Sequence, residues 1–362
     1  MFFYGFLMGG MQLVIDDAAA YFGVGKIGLG ALVSVQHVSA MAMPLLMGAV
    51  ADRIGTKKVL CAFCAIFGFG CLVSGGSRTA AVYAVGALLF GAGYSVCESQ
   101  TCAVFADLDP EKAARRINLS QGLLCVGAIL GPVCVQAIQT WLGADWRVVF
   151  YICAAAFLLL TIPLCAMRFP KRMPAESNEE KAGLRIFFAS GAFVAMLAAM
   201  MLYVGLENGY GYFADSLFME RLNTSGAAAI SIYWAGMALS RIVFSVRPYK
   251  NRPVLIAHYC AAALLFAGMS AARSQALMLV LSALIGAAYG PIWSTLVAEA
   301  AIRFPEHTST AAGLMSTACG VGGIVYPLLM GAAVEKLSIT AAMILLAVTA
   351  ALGGALCMRI RK

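Results

Sequence analysis

Apolar runs of about 20 residues recur along the whole chain, each ended by charge or by turn-forming residues. A helix of that length is about 30 Å long, which matches the hydrocarbon core of a bilayer. Twelve runs can be marked: 2–22, 27–50, 58–76, 79–106, 113–140, 146–168, 185–212, 224–246, 253–272, 275–302, 308–334 and 338–358. The pattern predicts an all-α membrane protein with twelve transmembrane helices. The longest polar stretch lies at 169–184 and carries Pro170, Lys171, Arg172, Pro174, Glu179, Glu180 and Lys181. It divides the runs into six and six. The expected organisation is an N-terminal six-helix bundle over 1–168, a linker over 169–184 and a C-terminal six-helix bundle over 185–362. No other polar stretch is long enough to form a soluble domain.

An internal repeat gives these halves a relationship. A shift of 195 residues without gaps puts Gly91-Ala92-x-Tyr94 on Gly286-Ala287-x-Tyr289, and Ser99 on Ser294. It also puts Pro110-Glu111 on Pro305-Glu306, Val126-Gly127-x-Ile129 on Val321-Gly322-x-Ile324, and Pro132 on Pro327. Gly10-Met11-Gln12 falls on Gly205-Leu206-Glu207. An even number of helices separates the copies, so both enter the membrane in the same sense. The prediction is two parallel, pseudo-symmetric bundles with a binding site between them.

Composition sharpens the picture. The chain is 62% hydrophobic and 12% charged, with a mean hydropathy of +0.87. A soluble domain carries about 25% charged residues, so this chain has too few to cover a water-facing surface. The formal net charge of +8 does not point to nucleic acid, because the basic residues fall in short loops. With the N-terminus inside, 19 of the 25 Lys and Arg lie on the cytoplasmic side, Arg241 counted among them. The other six are Lys26, Arg78, Arg147, Arg221, Arg273 and Lys336. That asymmetry places both termini and the linker in the cytoplasm of a multi-pass inner-membrane protein. Ala18-Ala19-Ala20 resembles a signal-peptidase site, but no basic stretch precedes the apolar run and Asp16-Asp17 abut the triplet, so cleavage is not expected. The twelve Cys are scattered through apolar runs. Cys61 and Cys64 form a CxxC without His or acidic company, which reads as helix packing rather than a metal or redox site.

Between the second and third runs lies Gly48-Ala49-Val50-Ala51-Asp52-Arg53-Ile54-Gly55-Thr56-Lys57-Lys58. It resembles the G-x-x-x-D-R-x-G-x-[RK]-[RK] signature of the major facilitator superfamily. Gly48, Asp52, Arg53, Gly55, Lys57 and Lys58 are the matching positions, and the resemblance implies a gating loop. Physically, Asp52 ends a helix where a carboxylate can meet a neighbouring helix N-terminus, and Gly55 permits a tight turn. The second half holds no good copy, since Ser240-Arg241 is followed by Ile242-Val243-Phe244.

A narrower match follows. Gly93-Tyr94-Ser95-Val96-Cys97-Glu98, Asp109-Pro110-Glu111, Arg116-Ile117-Asn118-Leu119-Ser120-Gln121 and Gly127-Ala128-Ile129 resemble the fourth and fifth helices of the L-fucose permease branch, the fucose–galactose–glucose symporters. Tyr203-Val204-Gly205-Leu206-Glu207 resembles its seventh helix. The resemblance implies that Glu98 contacts sugar and takes part in proton coupling. It departs at Gln12, where the branch carries a coupling Asp, and at Leu124, where it carries a sugar-binding Asn.

The acids within the runs point the same way without the family. Carboxylates are costly in hydrocarbon and those that persist usually face a bundle interior. Glu98 lies nine residues before Asp107, and Gln121 nine after Lys112. Both therefore sit about 13 Å in from the same loop and can share one polar layer. The repeat pairs Gln12 with Glu207 and Glu98 with Trp293, and an indole face suits the C–H face of a pyranose. Candidate solute-binding residues are Gln12, Gln36, Glu98, Gln121, Tyr203, Glu207, Asn208 and Trp293. Tyr233 and His37 are further candidates, and Glu98 and Glu207 are the candidate ion-coupling groups. The bland readings are interhelical hydrogen bonding for the acids, ordinary packing for Trp293, and a satisfied packing residue for His37.

The expected activity is cation-coupled uptake of a monosaccharide or similar polar solute by alternating access, with H+ preferred to Na+. Export of an amphipathic drug-like compound is the alternative. The expected partners are a small solute, a co-transported H+ or Na+ and the lipid bilayer. No cofactor, metal or nucleic acid is expected, and a monomer is expected to suffice. An enzyme is not expected: His37, His258 and His307 lie on separate runs or loops and build no nucleophile–base pair.

Overall fold

The structure, a computed structural model, describes residues 1–108, 110–167, 185–246, 249–304 and 308–360. Among them are fifteen helices and no strand. In the first half they are α1 (Phe2–Tyr21), α2 (Lys26–Ile54), α3 (Thr56–Gly75), α4 (Ala80–Leu108), α5 (Pro110–Leu142) and α6 (Val148–Ala166). In the second half they are α7 (Arg185–Ala189), α8 (Gly191–Gly211), α9 (Ala214–Leu222), α10 (Ala227–Val246), α11 (Asn251–Ala271), α12 (Gln275–Tyr289), α13 (Ile292–Arg303), α14 (Thr308–Lys336) and α15 (Ile339–Met358). The linker expected over 169–184 lies outside the described residues.

Among the described residues, eleven spans are long and apolar enough to cross a membrane by length and composition. The first run, 2–22, forms a 20-residue helix, α1, but Gln12, Asp16 and Asp17 dilute its apolar character and it is not among the eleven. Two expected runs are interrupted. Ser190 ends α7 and caps α8, its hydroxyl accepting from the Phe193 N–H at 3.3 Å. Gly290-Pro291 separates α12 from α13, where a proline has no N–H to continue the helix. The short helix α9 was not foreseen. Pro132 in α5 and Pro327 in α14 hold matching places in the repeat, and helices in membranes accommodate such interruptions.

The chain forms two compact units. Unit 1 comprises 1–24 and 31–176, and unit 2 comprises 25–30 and 177–362. In unit 1, α1 packs on α5 and α6, and α3 packs on α4 and α6. Small residues allow the α1–α5 contact. A Cβ on Gly127 would overlap the Phe2 carbonyl oxygen, and one on Gly5 would overlap the Leu124 carbonyl oxygen. Gly5 and Gly9 on α1 meet the backbone of Leu124 and Ala128, and Gly127 and Gly131 on α5 meet that of Phe2, Phe6 and Gly10, two small-xxx-small pairs that let backbones touch in a medium where burial alone does not drive association. Cys64 is buried on α3, its thiol 3.6 Å from the Phe157 carbonyl oxygen, in keeping with a packing role.

In unit 2, α8 packs on α14 and α15, α10 on α12, and α11 on α12 and α15. Residues 25–30, the start of α2, belong here, and the Ile27 N–H donates to Glu335 at 2.9 Å. The helix α9 ties the ends of two spans together. Asp215 accepts from the Gly226 N–H at 2.6 Å, just before α10. Arg221 donates to the carbonyls of Met269, Ser270 and Ala272 at 2.6–2.9 Å, where α11 ends, and to the Thr340 hydroxyl at 2.9 Å. The Met269 carbonyl also accepts from the Ala272 N–H at 3.3 Å, but carbonyls in the last turn of a helix are short of intrahelical partners, and a cation there also suits the helix dipole.

Candidate functional site

Unit 1 holds a half-buried polar centre and unit 2 a more deeply buried one, and each is built by close backbone approaches at glycines. In unit 1, Gly93 brings α4 onto α3, a Cβ there falling 2.6 Å from the Phe67 backbone. Gly91 abuts the Gln36 carbonyl of α2. Glu98 lies further along α4 and is half-buried. Gln121 of α5 donates from Nε2 to Glu98 Oε1 at 2.8 Å. Tyr94, one turn before Glu98, is within hydrogen-bonding reach of both Glu98 and Tyr4. The Tyr4 ring stacks parallel to it, 3° from coplanar. The structure therefore brings Glu98 and Gln121 together, as their depths implied, and adds two phenols.

The other candidates of unit 1 lie on α1 and α2. Gln12 of α1 is fully buried. Gln36 is 7% exposed, and its carbonyl accepts from the Ser39 hydroxyl at 3.2 Å. His37 is half-buried. Leu124, 5% exposed, points its carbonyl at Gly5. In the loop motif, Gly55 adopts φ 96°, the left-handed region that favours glycine, and it separates α2 from α3. Lys57 is half-buried and Lys58 exposed. The placements of Gly48 and of the Asp52 and Arg53 side chains lie outside what the structure describes.

In unit 2, Tyr203 and Glu207 stand one turn apart on α8, with Tyr203 buried and Glu207 half-buried. Arg241 of α10 interacts electrostatically with Glu207 and with Tyr203. This corrects the loop assignment of Arg241, which lies inside the apolar span Ala227–Phe244. The sequence signal was present: Ile242, Val243 and Phe244 continue the apolar run beyond the charge. An intramembrane cation needs a partner, and Glu207 supplies one. Tyr233 of α10 and Tyr289 of α12 complete the centre, both fully buried and both near Glu207. Their rings are 6.0 Å apart and perpendicular, and Tyr203 lies 5.8 Å from Tyr289. A Cβ on Gly286 would overlap the Tyr233 carbonyl oxygen, so that glycine sets the α10–α12 distance. The hydroxyls of Tyr233 and Tyr289 have no hydrogen-bond partner among the described residues. Asn208 is buried beside Glu207 in sequence, and Trp293, at the start of α13, is 40% exposed.

The sequence model of the Major Facilitator Superfamily matches residues 1–248. The multidrug resistance protein MdtL of Shewanella oneidensis is 25% identical over 268 residues, which cover 71% of this chain and 67% of that protein. A candidate glucose/galactose transporter of Helicobacter pylori is 26% identical over 279 residues, with the same two coverages. Matches to MdtL of Escherichia coli strains span 58% of the length of those relatives. Among solved structures, a variant of the nucleoside transporter NupG has the same fold, with a TM-score of 0.81 at 16% identity, over 100% of this chain and 98% of that one.

Proposed function

The chain belongs to the Major Facilitator Superfamily, and from that premise we propose that it is a secondary active transporter that takes up a small polar solute, a monosaccharide or a close chemical relative, together with a proton. The observation that carries the reading is the 2.8 Å hydrogen bond from Gln121 to Glu98 within the apolar spans of unit 1. A carboxylate and an amide together bind hydroxyls, and a half-buried carboxylate can also take up and release a proton. Glu98 is the proposed coupling group, and Glu207 a second ligand for cation or solute. The candidate glucose/galactose transporter among the relatives supports the sugar class. We also propose cytoplasmic termini, on the charge asymmetry of the loops, and operation as a monomer.

Export of amphipathic compounds is the second reading, and the MdtL relatives favour it. Two acids and an arginine in the bundle interiors argue for a polar cargo, since a pocket for greasy compounds is mostly apolar. Uptake of a labelled sugar panel by proteoliposomes, with proton and sodium gradients imposed separately, tests the proposal. Accumulation of one sugar under an inward proton gradient is the expected result. Efflux of lipophilic dyes with no sugar accumulation would overturn it in favour of export.

A further inference from the structure

We propose that Arg241 receives the carboxylate of an acidic solute, such as a sugar acid, and that Glu207 takes up a proton when that carboxylate binds. The inference rests on the transporter reading and narrows its substrate class. Its basis is an imbalance of hydrogen-bonding groups in unit 2. Arg241, Tyr203, Tyr233 and Tyr289 all bring N–H or O–H donors to one centre around the Glu207 carboxylate. The Tyr233 and Tyr289 hydroxyls lie fully buried beside it with no partner among the described residues. Unmade hydrogen bonds of buried hydroxyls are costly, so such groups usually await water or a ligand.

The chemistry of the guest follows from the donors. A neutral sugar brings a donor with every hydroxyl acceptor and leaves the excess in place. A carboxylate brings acceptor sites alone, and its planar pair of oxygens fits the guanidinium fork. Charge then fixes the stoichiometry. With Glu207 ionised, Arg241 is already neutralised, and a second carboxylate would leave one net negative charge in a poorly solvated interior. A proton from solvent on Glu207 restores neutrality: the Glu207–Arg241 ion pair is exchanged for a solute–Arg241 ion pair, and Glu207 becomes a neutral acid. Solute and proton therefore bind together.

The test is equilibrium binding to the purified full chain, using matched pairs that differ by one carboxylate: glucose with glucuronate, galactose with galacturonate, and glycerol with glycerate. The acid of at least one pair should bind about tenfold more tightly than its neutral partner at about pH 5.5, and lose about tenfold by about pH 7.5. Arg241→Gln should abolish the preference. Glu207→Gln, which mimics the protonated acid, should bind the acid equally at both pH values. That flat pH profile decides the matter even where Arg241→Gln fails to fold. Tyr233→Phe with Tyr289→Phe should weaken the acid several-fold. Equal or tighter binding of every neutral partner, or unchanged acid binding in Arg241→Gln, would overturn the proposal. Unchanged acid binding in the double Phe variant would overturn the part given to the phenols and leave them to bound water. Proton-driven uptake of a neutral sugar with no acid bound removes this inference and leaves the transporter reading standing. Failure to bind or carry either class removes both.

Discussion

Gln121 Nε2 and Glu98 Oε1 lie 2.8 Å apart, the amide of α5 donating to the carboxylate of α4. The amide has a fixed donor and acceptor, whereas the carboxylate can change its charge. Glu98→Gln keeps the size and the capacity to bind hydroxyls and removes the titration. We expect concentrative uptake by this variant to disappear while exchange of solute at equal concentrations survives in part, read by radiolabel counterflow in proteoliposomes. Accumulation equal to wild type would reduce Glu98 to a binding or packing residue.

The contact between α1 and α5 depends on glycine at 127. A leucine there would have to displace the Phe2 backbone, and overpacking of this kind costs about 1–3 kcal/mol or more. Gly127→Leu should lower the melting temperature and the folded yield in detergent. Gly122, on the same helix, has open space around its Cα hydrogens. Gly122→Ala should be neutral or stabilising by up to about 1 kcal/mol, because alanine is the better helix former. Size-exclusion profiles and thermal melts of the two variants should move in opposite directions or not together.

Arg221 offers a stability prediction remote from either polar centre. Arg221→Ala removes donors from three carbonyls that end α11 and from the Thr340 hydroxyl. A loss of about 2 kcal/mol is expected, since hydrogen bonds from charged groups are worth more than neutral ones. Thermal melting should fall, while the ranking of solutes in competition assays stays as in wild type.

Asp52 tests the loop motif. As a gating residue it should govern the rate of the cycle rather than affinity, so Asp52→Asn should slow uptake and leave equilibrium binding within a few-fold. Normal turnover with binding lost would assign Asp52 to the solute site instead.

Helices were legible because apolar length alone decides a membrane span, and the charged loops marked where most of them stop. The breaks were not. Ser190 stops α7 by capping α8, and the Gly290-Pro291 pair divides α12 from α13, yet both sit inside runs whose hydropathy is unbroken. The pairing of Glu98 with Gln121 was readable because helical rise turns residue counts into depth. Arg241 escaped because a charge near the end of a run looks like a loop residue; its partnership with Glu207 depends on how α8 and α10 rotate about their axes, which spacing does not fix. Tyr289 escaped too, although the repeat aligns it with Tyr94, the phenol beside Glu98.

The two buried acids differ in their counter-charge, and the difference has an electrical meaning. Glu207 faces a guanidinium, whereas Glu98 accepts from a neutral amide and feels the Met1 ammonium electrostatically. A unit charge carried through a membrane potential of about 100 mV exchanges about 2.3 kcal/mol with it. A proton loaded on Glu98 with a neutral solute crosses as net positive charge, so the resting voltage drives accumulation and each turnover yields current. A proton loaded on Glu207 with a carboxylate at Arg241 crosses as a neutral set, silent to an electrode and driven by pH alone. Current recorded from protein on a solid-supported membrane, compared with uptake of the same solute, thus reads out which of the two centres carries the load.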